Sequence, residues 1–184
     1  MTFCNPSGQK AEPDTDLGRR LENIGVKEFG IWKEMVLRDD SLFNEVYRLI
    51  YCDNPRIAWH AAWVTDHASE ACPAKLEAYI PELIEQLPKL KSSSLKRHIT
   101  RMLISQKIPA DQMGLLVDVL YNLLSPSEAI AVRANALQVL FNIALIEPEL
   151  QPELIRFTES ILEEELTPGM ISKARSVIKL LRHQ

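Results

Sequence analysis

Ile80-Pro81-Glu82-Leu83-Ile84-Glu85-Gln86-Leu87 carries apolar side chains at 80, 83 and 87, and the same triplet returns at a fixed distance. Thirty-seven residues on stand Val117, Leu120 and Leu124, and thirty-seven beyond those stand Leu154, Phe157 and Ile161. Thirty-seven residues back stand Phe43, Val46 and Ile50. Spacings of three and four place each triplet on one face of a helix. A second series lies between these first helices: Ile57, Ala61, Val64 and Thr65; Leu95, Ile99, Met102 and Leu103; Val132, Ala136, Val139 and Leu140; Met170, Ala174, Val177 and Ile178. Each stripe runs i, i+4, i+7, i+8, the width of a helix with one buried face. No stretch alternates with period two for long enough to make a strand. Four helix pairs at a period of 37 to 38 residues predict an all-α fold. Its form is a right-handed α-α superhelix in which each pair buries its stripes against its neighbours.

The punctuation agrees with this parsing. Pro55, Pro73, Pro109, Pro126, Pro148 and Pro168 fall at the joints, where proline at a helix start is tolerated. Pro81, Pro88 and Pro152 lie inside or near the ends of first helices and are expected to kink or shorten them. Asp53-Asn54, Ser92-Ser93-Ser94 and Ser125 supply N-caps or turns. Residues 1–15, with Pro6, Gly8 and Pro13, read as a flexible lead-in. Residues 16–184 then form one domain. Within it, 16–39 caps the stack through Leu17, Leu21, Ile24, Phe29, Trp32, Met35 and Val36, and 40–184 holds the repeats. The last helix carries Lys173, Arg175, Lys179 and Arg182, the polar outer face that a terminal repeat needs.

Composition narrows the class. Hydrophobic residues make up 46% of the 184 and charged residues 25%, which excludes a disordered or fibrous chain. Only 6 glycines, beside abundant Leu, Ile, Ala and Glu, favour helix. No apolar run reaches the ~20 residues of a membrane helix. The polar start Met1-Thr2-Phe3-Cys4-Asn5-Pro6 lacks the pattern of a signal peptide. Cys4, Cys52 and Cys72 contain no Cys-x-x-Cys pair, so reduced thiols in a cytoplasmic protein are expected. A net charge of −4 argues against a general nucleic-acid binder.

The helix-pair pattern over residues 40–184 resembles HEAT and armadillo-like repeats, with a slightly shorter unit. Three segments are similar to a family of small, largely uncharacterised bacterial HEAT-like proteins. They are Ala61-Ala62-Trp63-Val64, Ala131-Val132-Arg133-Ala134 through Gln138-Val139-Leu140, and Pro152-Glu153-Leu154-Ile155 followed by Lys173-Ala174-Arg175. Members of that family sometimes carry the name adenylosuccinate lyase. That activity requires a mobile loop rich in glycine and serine, and the only serine run here, Ser92-Ser93-Ser94, sits at a helix start.

Charge divides between the two helix series. The first-helix segments sum to −9 and the second-helix segments to +6. Second helices line the concave side of such a fold, so a basic ridge there would attract an acidic peptide, a phosphate-bearing ligand or nucleic acid. Two and six residues after each stripe begins, a side chain points away from the core. These positions hold Trp59 and Trp63, Arg97 and Arg101, Ala134 and Gln138, then Ser172 and Ser176. The candidate patch therefore comprises Trp59, Trp63, Arg97 and Arg101, extended by Arg133, Lys173 and Arg175. The competing expectation is that both tryptophans pack beneath the N-terminal cap.

Trp59, Trp63 and Asp66 are also similar to the layout of the HEAT-like alkylpurine DNA glycosylases, which use tryptophans and one aspartate in a basic concave groove. That resemblance implies binding of nucleic acid. His60 and His67 share a helix without a third metal ligand at recognisable spacing, and read as surface side chains. Glycine-rich phosphate loops, nucleophile elbows and paired carboxylates are missing, so no cofactor, metal or catalytic residue is assigned. The leading expectation is a non-enzymatic scaffold for another protein or peptide, with nucleic-acid binding as the alternative.

Overall fold

The computed structural model describes residues 16–164 and 167–183; the lead-in expected over 1–15, with Cys4, lies outside them. Among the described residues there are ten α-helices and no strand. They belong to two compact units, one ending at Lys75 and the other beginning at Leu76.

The first unit holds α1 (Asp16–Glu22), α2 (Val26–Arg38), α3 (Asp40–Arg48) and α4 (Pro55–Ala71). Asp39 starts α3 because its extended backbone lets the carboxylate accept from the Ser41 and Leu42 N–H groups at 2.9 and 3.1 Å. Asn54 starts α4 in the same way, accepting from Arg56 and Ile57 at 3.0 and 3.3 Å. Its amide nitrogen also donates to Glu22 at 3.1 Å, which ties the start of α4 to the end of α1. Pro55 occupies the first turn, where its missing N–H costs nothing. Helices α1, α2 and α3 all pack on α4.

The second unit holds α5 (Ile80–Gln86), α6 (Ser93–Leu103), α7 (Ala110–Leu123), α8 (Ile130–Ile146), α9 (Gln151–Ile161) and α10 (Pro168–Arg182). The first helices α5 and α7 are neighbours, the second helices α6, α8 and α10 form a row, and α8 packs on both α7 and α9. Prolines shape the first helices as expected. Around Pro73, Pro81 and Pro88 the chain runs as a 3-10 segment (Pro73–Tyr79), the short α5, then a 3-10 turn (Leu87–Lys89). Pro152, expected to kink or shorten its helix, instead lies in the first turn of α9, where proline is tolerated. Ser92 and Thr167 cap α6 and α10, whereas Ser125 serves the turn ahead of α8 by accepting from Ser127 N–H.

The second-helix stripes are buried from Ile57 to Ile178, except Leu95, which is half-buried in the first turn of α6. Fully burying a Leu, Ile or Val side chain contributes about 1.5–3 kcal/mol, so these stripes are a substantial part of the core's stabilisation. The first-helix triplets depart from expectation in two places. Val117 is only half-buried, and Phe157 is 36% exposed. Phe157 turns outward to meet Tyr121 edge-on at 5.0 Å between ring centres, and Thr158 takes the inward position, its hydroxyl donating to the Leu154 carbonyl at 2.6 Å. A triplet read from apolarity alone overlooks that a threonine can satisfy its hydroxyl within its own helix.

Candidate functional site

The positions two and six after each stripe stay out of the core in every second helix. Arg97, Ser172 and Ser176 are exposed, while Trp59, Trp63, Arg101, Ala134 and Gln138 are half-buried. The tryptophans belong to the first unit and the remaining six to the second.

In the first unit the face is aromatic. Phe29 of α2 stacks on Trp63 at 3.9 Å between ring centres and 17° between planes, and Trp63 stacks on Trp59 at 5.6 Å and 12°. The three rings make one column, and α2 supplies its lid. His67 meets Phe29 edge-on at 4.9 Å, with Nδ1 3.1 Å from the Trp63 carbonyl oxygen. The cap thus covers Trp63 directly. His60 is not the surface side chain expected from sequence: it is 4% exposed, and burial pushes its pKa below the ordinary value, with Arg56 adding to the fall and the Leu21 backbone opposing it. Asp66 on the same helix is buried as well.

In the second unit the face is polar and cross-linked. The Asn135 amide of α8 donates to the Arg97 carbonyl at 3.1 Å and to the Thr100 hydroxyl at 3.3 Å, both on α6. Seven residues along, Asn142 donates to the Ile104 carbonyl at 2.8 Å, where α6 ends and its last carbonyls lack intrahelical partners. Gln138 donates to Asn142 at 2.7 Å and accepts from Lys173 of α10. Amide groups therefore bridge three successive second helices.

The cations of this row are largely committed. Lys96 pairs with Glu128, and Arg133 pairs with Glu164 at 2.6 Å. Arg133 is 3% exposed, so it leaves the candidate surface: its guanidinium pins α8 to the chain after α9. Lys173 is half-buried against Gln138, and burial pushes its pKa below the ordinary lysine value. Arg97 donates to His98 Nε2 at 3.3 Å, and its side chain stays exposed, as does that of Arg175. The basic ridge read from the charge sums is thus narrower than its formal charge.

A profile of the HEAT repeat domain matches residues 15–181. The chain belongs to the HEAT repeat family. Its all-α helix pairs are those of a HEAT-like solenoid, a helical repeat scaffold of the kind that commonly mediates protein interaction. Among curated proteins none matches the chain. Among the described residues no group of three or more His, Cys, Asp or Glu is placed to hold a metal ion, and no helix is long and apolar enough to cross a membrane. Cys52 and Cys72 are free thiols, and burial pushes the Cys52 pKa up.

Sequence reasoning missed the HEAT unit's polar repeat. Lys96 and Arg133 are 37 residues apart, and their partners Glu128 and Glu164 are 36 apart, so one ion pair recurs in successive repeats. Asn135 and Asn142 each reach a carbonyl 38 positions earlier. Extending the periodic search from apolar to charged and amide side chains would have found both sets. A cleft of about 360 Å³ on the other side of the unit, lined by Met113, Val117, Tyr121, Leu150 and Glu153, was also missed. There burial and the Glu153 carboxylate push the Tyr121 pKa up to about 12.

Proposed function

We propose that this HEAT protein is a non-enzymatic scaffold that binds another protein or peptide on the second-helix face of α6, α8 and α10. The amide-bridged row carries the reading. Its groups are held in place before any partner arrives, so binding would forfeit little side-chain entropy. Arg97 and Arg175 project from that row, and the exposed Ser172 and Ser176 hydroxyls offer hydrogen bonds beside them. An acidic, hydrogen-bonding peptide complements this pattern better than a phosphate backbone does. A nucleic-acid groove needs a continuous run of available cations, and here Lys96, Arg133 and Lys173 are engaged within the unit.

The test measures binding of a labelled oligoglutamate peptide and of a short labelled DNA duplex, each at low and moderate salt, to the wild type and to Arg97→Glu/Arg175→Glu. Peptide binding weakened at least about tenfold by the double variant, a change of about 1.4 kcal/mol, agrees with the proposal. Tight, salt-dependent duplex binding would replace it with the nucleic-acid reading. Peptide binding that ignores the double variant would move the site elsewhere.

A further inference from the structure

A terminal repeat normally turns a polar face outward, and on α2 that face is interrupted by apolar side chains among Lys27, Glu34 and Arg38. Val26 is 84% exposed and Ile31 is 62% exposed on its outer side. Between them sits Gly30, at the floor of a depression of about 340 Å³ lined by Ile31, Glu34, Met35 and Arg38. Nothing in the unit's own packing requires that glycine. A Cβ placed there would meet no atom within 4 Å, and the backbone is ordinary helix. Glycine weakens a helix interior relative to alanine, and here its missing side chain leaves the depression open to an approaching surface.

We propose that the outer face of α2 packs against α2 of a second copy of this chain, antiparallel and centred between residues 30 and 31. The face is complementary to itself about that centre. Reversing the helix brings Ile31 over Gly30 of the other copy, so an apolar knob fills the depression and the missing Cβ lets the two backbones close. The same reversal sets Val26 against Met35, apolar on apolar. It sets Lys27 against Glu34, opposite charges, and does so twice because the pairing is isologous. Glu34 has only a loose partner of its own, Arg38 at 3.9 Å, with both side chains more than half exposed. At 13 residues α2 offers about 20 Å of contact, the scale of a small, reversible interface.

Sedimentation velocity of the full chain from about 5 µM to about 0.5 mM reads the association directly, with an expected dissociation constant on the order of 10–100 µM. Ile31→Lys leaves the helical signal and melting of the monomer intact, since the side chain is exposed, and abolishes dimerisation. Lys27→Glu alone and Glu34→Lys alone each weaken it by about tenfold or more, because like charges then face each other. Mixed in equal amounts, these two variants form a heterodimer as tight as the wild type, a rescue that no defect in folding would give. A wild type that stays monomeric at about 0.5 mM overturns the proposal. So does association that is indifferent to Ile31→Lys, or a mixture no tighter than its components.

Discussion

Helices α4 and α8 are both 17 residues long and carry the same buried stripe, yet their outward faces have opposite fates. On α4 the outward positions are Trp59 and Trp63, and Phe29 of the cap stacks on Trp63, which stacks in turn on Trp59. On α8 the corresponding positions are Ala134 and Gln138, and the neighbouring amides reach sideways to α6 while Lys173 reaches in from α10. One register thus gives an aromatic column in the first unit and an amide-bridged polar row in the second. A stripe fixes which side of a helix is core; the residues off the stripe decide whether the other side is closed or available.

The largest expected effect comes from the part the two helices share. Ala136→Asp sets a carboxylate in a fully buried position of α8 and should remove the cooperative unfolding transition, a loss of at least about 4 kcal/mol. Leu140→Ala, one turn on, should cost about 2–5 kcal/mol in urea unfolding. An unchanged midpoint for either would break the shared register itself. Next comes the aromatic face. Trp63→Ala removes the centre of the ring column and should cost about 2–4 kcal/mol. Hydrogen exchange should speed up in α2 and α4 and stay as in the wild type over α8 and α10. Equal loosening of both regions would contradict the separation drawn between them.

On the polar side, Glu164→Gln leaves the buried Arg133 guanidinium without its carboxylate and should cost about 1–3 kcal/mol. A neutral result would mean that the repeated ion pair does not hold α8. The smallest effect concerns pH. The His60 pKa is held below its unfolded value by burial, so the unfolded chain binds more protons as pH falls below about 6.5. The stabilisation is whole above that value and declines from there toward the folded pKa. Unfolding free energies measured between pH 7.5 and 5.5 should show this loss, and His60→Gln should flatten it.

The helix pairs were legible in the sequence because burial imposes a period: Ile57 to Thr65, Val132 to Leu140 and Met170 to Ile178 repeat the same spacing. The exceptions have local causes. Phe157 found Tyr121 outside, and Thr158 could go inside because its hydroxyl bonds to its own helix. The face was legible as a register and not as chemistry. Arg133 reads as one more surface cation until Glu164 is seen to come round from the chain after α9, a contact across 31 residues that no local pattern reveals. His60 looked exposed because α4 is covered on more than one side, by α1 and α2 as well as α3, and a single stripe does not announce the second cover.

The claim that the polar row is the partner surface is tested most directly by placing a photo-crosslinking residue at Ser172 or Ser176 in living cells, with the exposed Leu115 of α7 as the control position. The account predicts one discrete protein adduct from Ser172 and Ser176 and none from Leu115. An adduct from Leu115 with none from the two serines would contradict it, and would turn attention to the first-helix surface of α7.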